Sequence, residues 1–227
     1  MHRDRSRDTP RAPAACCDSV LDVVCIGAAL VVLALAVSVS TGSHLLELDV
    51  ASVRTVHVLA FDEATVLAGG ITDLAATRTL LGLAALAAVA LLVRGHWHGA
   101  LAISLSVLAT QAIVAAIKAI VERGRPPGSD ALIEPAGYAF PSAHAAGSMA
   151  VYGLLALLVL RRPGGRVRIV AAVLALALVV AIGTTRVYLG AHYPSDVIAG
   201  WLVGAVIAAG ALRLAQALRS RVEPAAG

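Results

Sequence analysis

Three short stretches gather the side chains best suited to chemistry. KAIVERGRP runs from Lys118 to Pro126, PSAH from Pro141 to His144, and RVYLGAHYPSD from Arg186 to Asp196. In the first, Lys118, Glu122 and Arg125 stand at i, i+4 and i+7, the spacing of one helix face, and Pro126 and Pro127 stop the helix. Alone, the pattern is better described as basic side chains snorkelling from a helix end, with Lys118 paired to Glu122. In the second, Ser142 is a natural N-cap. The free N–H groups and positive dipole end of the helix it opens form an anion site, with His144 in the first turn. Alone, this is also a capped helix carrying an incidental histidine. In the third, Asp196 follows His192 by four residues, and Pro194 suits the first turn of a helix. A carboxylate at that spacing can reach the imidazole, fix its tautomer and make its free nitrogen more basic and more nucleophilic. Alone, Arg186, His192 and Asp196 also describe a surface ion-pair group.

The elements that must position these groups follow from composition. Of 227 residues, 59% are hydrophobic and 14% charged, and the mean hydropathy is +0.86. A soluble domain carries about a quarter charged residues, so the chain falls in the membrane class. The dominance of Ala, Leu and Val suits helices packed through small side chains in lipid. The net charge of +4 is assigned to loops at the membrane surface, not to nucleic acid. Cys16, Cys17 and Cys25 are odd in number and crowd the N-terminus, which argues against a disulfide framework and for buried or membrane-edge thiols.

A span needs about 20 apolar residues. Val20–Ser40, Ile71–Val93, Trp97–Val121, Ala143–Leu160 and Ile169–Thr185 qualify, and Pro194–Leu218 makes a sixth. The expected fold is an all-α integral membrane protein, six transmembrane helices in one bundle. Residues 1–18 form an N-terminal tail, 19–218 the domain and 219–227 a C-terminal tail. Leu45–Gly70 mixes apolar residues with Glu47, Asp49, Arg54, Asp62 and Glu63, and reads as an amphipathic helix on the outer surface. With the N-terminus cytoplasmic, twelve Lys and Arg fall inside and six outside, the bias expected of that orientation. The outer six are Arg54, Arg78, Lys118, Arg123, Arg125 and Arg186. Both termini are then cytoplasmic.

In this topology the three clusters share the outward face, at the ends of spans three to six. Lys118, Arg125 and Arg186 oppose the charge rule and need another reason to be there. Cations with helix N–H groups suit the non-bridging oxygens of a phosphoryl group, whose transfer is catalysed largely by positioning and charge stabilisation. Two histidines suit the remaining roles, one attacking phosphorus and one protonating the leaving oxygen.

With these motifs the chain resembles the type-2 phosphatidic acid phosphatases, or lipid phosphate phosphatases, which share their site with vanadium haloperoxidases. The family pattern is K-x6-R-P, then P-S-G-H, then S-R-x5-H-x3-D. Here it reads Lys118, Arg125 and Pro126; Pro141, Ser142, Ala143 and His144; Thr185, Arg186, His192 and Asp196. Ala143 stands where the family has glycine, which raises the question whether the site needs a backbone angle alanine disfavours. Thr185 replaces serine and keeps the hydroxyl.

The resemblance implies a metal-independent phosphatase with no cofactor, acting on a lipid phosphate or diphosphate; the Ala- and Arg-rich composition and minimal loops suggest that the membrane is a bacterial inner membrane. His192 would attack phosphorus and form a phosphohistidine, and Asp196 would orient it. His144 would protonate the leaving group and then activate water. Lys118, Arg125, Ser142, the backbone at Ala143 and Arg186 would hold the phosphoryl oxygens. Phosphatidic acid, phosphatidylglycerophosphate and polyprenyl diphosphates such as undecaprenyl diphosphate are the substrates implied. A lipid phosphotransferase would use the same site. A vanadate-dependent peroxidase is disfavoured by the apolar spans, and a transporter or scaffold gives no reason for the spacings.

Overall fold

The computed structural model describes residues 14–42, 44–58, 60–127, 136–161 and 165–222, all helices and connecting segments. Helix α1 is Ala14–Ser40, α2 His44–Val58, α3 Asp62–Asp73, α4 Thr77–Val93 and α5 Trp97–Val121. A single span, Ala143–Leu160, consists of α6 (Ala143–Ser148), a π-helical turn (Met149–Gly153) and α7 (Leu154–Leu160). Helices α8 (Arg166–Tyr188) and α9 (Pro194–Val222) complete the bundle. Five helical segments are long and apolar enough to cross a membrane, or six if the bent pair α3–α4 is one span. The chain is a multi-pass membrane protein.

The first span, Leu21–Ser40, agrees with the expected Val20–Ser40, and its helix begins earlier, at Ala14; residues 1–13, with Arg3, Arg5, Arg7 and Arg11, lie outside the described residues. Two sequence expectations are corrected. The second span is not continuous over Ile71–Val93, because α3 and α4 meet at a 44° bend. At the bend, i→i−3 bonds link Leu74, Ala75 and Ala76 to Ile71, Thr72 and Asp73, and the Tyr152 hydroxyl donates to the Leu74 carbonyl at 2.8 Å. Tertiary contacts thus stabilise a break that hydropathy does not register. Finally, the expected surface helix Leu45–Gly70 is two helices, and α3 meets α4 at the bend. Helix α2 is amphipathic as expected, yet its buried stripe includes a charge: Asp49 is 3% exposed beside Val53.

The core forms where α4, α5, the π-turn span, α8 and α9 meet, around Leu80, Ile103, Val151, Leu154, Ile182 and Leu212. Ser106 donates to the Ala150 carbonyl at 3.1 Å, which gives a partner to a carbonyl in the π turn. Helix α1 stands outside this core. It leans on α9, and none of its spanning window is buried. Asp22 of α1 pairs with Arg213 of α9, while Val39 and Ser40 at the other end of α1 line a cavity with Arg123 and Arg125. Helix α6 packs on α9 through glycine. A Cβ at Gly200 would lie 2.6 Å from the Ser142 carbonyl oxygen, and one at Gly204 would strike the Ala146 carbonyl. These contacts bring the start of α6 against the first turns of α9.

Candidate active site

The four element ends expected to converge do so. Lys118 lies in the last turn of α5 and Arg125 in the segment that follows. His144 lies in the first turn of α6, Arg186 in the last turn of α8, His192 between α8 and α9, and Asp196 in the first turn of α9. The charges of Arg186, Arg125 and Lys118, and the ring of His192, all act on His144.

The α5 end departs from the expected single helix face. The helix stops at Val121, and Glu122 takes a left-handed conformation (φ 48°) as its C-cap. Gly124 and Pro126 follow and do not extend the helix. Arg125 therefore lies beyond the helix. Glu122 turns away from Lys118 and accepts from the Tyr138 hydroxyl at 3.0 Å. Lys118 donates instead to the carbonyls of Tyr138 and, at 3.4 Å, Ala139. Arg125 donates to the carbonyls of Ala136, Gly137 and Ala191 at 2.9, 2.8 and 2.7 Å. Backbone oxygens thus hold Lys118 and Arg125 in place.

Ser142 caps α6 as expected, its Oγ accepting from the Ala145 N–H. Its own N–H donates to the Asp196 carbonyl at 2.9 Å, joining the two helix starts. The N–H groups of Ala143 and His144 belong to the first turn, which has no intrahelical acceptors for them. Ala143 needs no left-handed geometry: among the described residues only Glu122 is a non-glycine with positive φ. The glycine-to-alanine departure therefore carries no backbone strain.

Arg186 is 3% exposed, and its Nη1 donates to Thr72 of α3 at 3.1 Å. Its Nε has no hydrogen-bond partner among the described residues. His192 Nδ1 faces Asp196 Oδ2 at 3.5 Å, an ion-pair approach too long and misaligned to be a formed hydrogen bond. Nε2 faces Arg125 Nη1 at 3.4 Å. Burial holds the His192 imidazole down to about 4; Asp196 opposes this, and Arg186 and Arg125 reinforce it. The ring is neutral at pH 7, with one nitrogen toward a carboxylate and the other toward a cation.

Sequence reasoning missed the groups behind Asp196. Arg123 donates to Asp196 Oδ1 at 2.5 Å, to Ser195 Oγ at 2.8 Å and to Asp49 Oδ2 at 2.7 Å. Its guanidinium carbon sits 4.1 Å from the centroid of the Tyr193 ring. Arg123 was legible only as an outer basic residue without a cluster; its neighbour Arg125 took the motif position. Thr72 gave no signal within its apolar surroundings.

Fold and site together describe a multi-pass helical membrane protein with a buried cationic pocket around two histidines. The model of the PAP2 superfamily matches residues 99–220. Phosphatidylglycerophosphatase B of Bacillus subtilis (strain 168) is 31% identical over 146 residues, 61% of this chain and 68% of that protein. The solved structure described as the first transmembrane PAP2 type phosphatidylglycerolphosphate phosphatase from Bacillus subtilis superposes with a TM-score of 0.76 at 22% identity. The match covers 88% of this chain and 98% of that one. This is the class of membrane-embedded phosphatases. The chain belongs to the PAP2 superfamily.

Proposed function

We propose that this phosphatase hydrolyses a lipid phosphate monoester, with phosphatidylglycerophosphate the first candidate, through a phosphohistidine on His192. The observation that carries the reading is the placement of His192 between Asp196 and Arg125, with His144 close enough to feel the charges of His192, Arg186, Arg125 and Lys118. The name of the Bacillus subtilis relative supports the choice of lipid.

In this mechanism the phosphoryl oxygens lie among Lys118, Arg125, Arg186, the Ser142 hydroxyl and the first amides of α6. The neutral Nε2 of His192 attacks phosphorus in line, and the positive charge that develops on the ring is met by Asp196. The 3.5 Å approach of Nδ1 to Asp196 tightens as that charge appears. His144, protonated beside the negative charge of the bound phosphate, donates that proton to the departing alkoxide and becomes neutral. It then takes a proton from the water that attacks the phosphohistidine, releasing phosphate and restoring neutral His192. The cations supply the electrostatic stabilisation on which phosphoryl transfer depends, so no metal is required.

An apolar groove of about 340 Å³ between α3 and α8 supports lateral access by a lipid. Ile71 and Thr185 line it, and these are the chain neighbours of Thr72 and Arg186. The Asp22–Arg213 pairing of α1 with α9, away from the Val39 end of α1, supports a start of α1 and an end of α9 on one side and a site on the other; the Lys and Arg bias toward the side of the termini supports taking that side as cytoplasmic. The test is phosphate release by purified protein over phosphatidylglycerophosphate, phosphatidic acid and undecaprenyl diphosphate, with His192→Ala as blank. Fastest release from phosphatidylglycerophosphate is expected. No release above the blank from any of these lipids would overturn the proposal.

A further inference from the structure

Asp49, Arg123 and Asp196 form a buried line of alternating charge, 3%, 7% and 0% exposed. Asp49 comes from α2, Arg123 from the segment after α5 and Asp196 from α9. Every oxygen of the two carboxylates is engaged or aimed. Asp196 Oδ1 accepts from Arg123, while Oδ2 accepts from the Tyr193 N–H at 2.9 Å and faces His192. Asp49 Oδ2 accepts from Arg123 and from the Ser195 hydroxyl, and Oδ1 from the Ser195 N–H at 3.1 Å. Asp49 thus grips Ser195, next to the carboxylate that faces His192, and also the guanidinium that holds that carboxylate. It lies outside residues 99–220, the part of the chain matched by the family model.

Burying three charges that sum to −1 is costly. An apolar contact could dock α2 on the bundle without that cost. The arrangement makes sense where the excess negative charge has use, beside a ring that becomes positive during the reaction. The geometry also divides the work of Asp196, since one oxygen is fixed by Arg123 and the other, held by the Tyr193 N–H, faces His192.

We propose that Asp49 and Arg123 are positioning residues for the reaction, Asp49 holding Arg123 from α2 so that Arg123 sets both the orientation and the effective charge of Asp196 toward His192. This rests on the reading of His192 as nucleophile. The two residues act on the ring with opposite sign. Without the Arg123 charge, Asp196 is fully negative beside His192 and favours the imidazolium. Without the Asp49 charge, Arg123 draws harder on Asp196 and disfavours it. The other charged or titratable groups around the pair remain in both variants. Arg125, Arg186 and His144 interact electrostatically with His192, from the segment after α5, from α8 and from α6. Lys118 of α5 and Arg125 act on Asp196.

The experiment compares wild type, Asp49→Asn, Arg123→Gln, Arg123→Lys and His192→Ala as full-length purified protein, measuring kcat, KM and the pH profile of kcat/KM. Asp49→Asn and Arg123→Gln should each lower kcat by about 10- to 100-fold, the range that outer partners of a site carry, with KM nearly unchanged. The acid limb, where His192 gains its proton, should move up by about one unit in Arg123→Gln and down in Asp49→Asn. Arg123→Lys should recover part of kcat, because one ammonium cannot bridge both carboxylates as the guanidinium fork does. Wild-type kcat in Asp49→Asn or Arg123→Gln would overturn the proposal, as would lower kcat with both limbs unmoved or moved in the same direction. Should Arg123→Gln fail to fold, the near-isosteric Asp49→Asn decides by the direction of its limb. Activity in His192→Ala would instead remove the underlying reading. An inactive His192→Ala beside unaltered Asp49 and Arg123 variants would remove only the positioning role.

Discussion

Nε2 of His192 lies 3.4 Å from Nη1 of Arg125. A guanidinium offers only donors, so the nitrogen it faces presents a lone pair. The proton of the neutral ring is then on Nδ1, toward Asp196. This is the tautomer a nucleophilic imidazole requires, and Arg125 stands where it can meet a phosphoryl oxygen brought to that lone pair.

The pH dependence of kcat/KM follows from the state of this ring. In the proposed mechanism the attacking form is neutral, and burial lowers the His192 value from 6.5 to about 4. A lowered value keeps the neutral form populated as pH falls through the ordinary histidine range. The rate of phosphoenzyme formation should therefore persist below pH 6 and fall only toward the lowered value. A rapid-quench pH series measures this, and half-maximal loss near 6.5 would contradict it.

Ala143 should be functionally equivalent to the family glycine. The residue is the first of α6 and has no positive φ, so only its N–H can serve the phosphate. Ala143→Gly should leave kcat/KM within about threefold, the spread of a surface-scale effect of ~0.5 kcal/mol. A gain of tenfold or more in steady-state assays would show that the methyl obstructs the pocket.

The glycines of α9 should prove essential to the site's assembly. A methyl on Gly200 meets the Ser142 carbonyl at 2.6 Å, and one on Gly204 meets that of Ala146. These are backbone atoms that cannot swing away. Gly200→Ala and Gly204→Ala should each cost about 1–3 kcal/mol by overpacking and lower activity by separating Ser142 and His144 from Asp196. Thermal unfolding in detergent, read beside turnover, measures both.

In the proposed mechanism Lys118, Arg125 and Arg186 meet the phosphate charge, while Asp49 and Asp196 are held by Arg123. Activity of the purified enzyme should survive EDTA. Loss on chelation with recovery on adding Mg²⁺ would contradict the proposed chemistry.

The spans and the site were legible to different depths. Trp97–Val121 and Ala143–Leu160 match their expected bounds, because uniform apolar composition and strong end signals agree there. The three motifs were legible through residue types at fixed spacing, and Ser142 and Pro194 open their helices as expected. The bend after Asp73 was hidden, because partners distant in sequence, Tyr152 at Leu74 and Arg186 at Thr72, anchor it. The helical continuation from Lys118 to Arg125 failed because the left-handed Glu122 turns the chain before Pro126 does. Asp49 and Arg123 could not be paired from sequence. They stand 74 positions apart, and each alone resembles an ordinary surface charge.

The central claim is that His192 carries the phosphoryl group. The direct measurement is acid-free quenching of enzyme mixed with lipid labelled in its phosphate, followed by detection and mapping of labelled protein. Wild type should show a transient label at His192, His192→Ala none and no turnover, and His144→Ala slow labelling that fails to clear. Turnover by His192→Ala at the wild-type rate would contradict the mechanism.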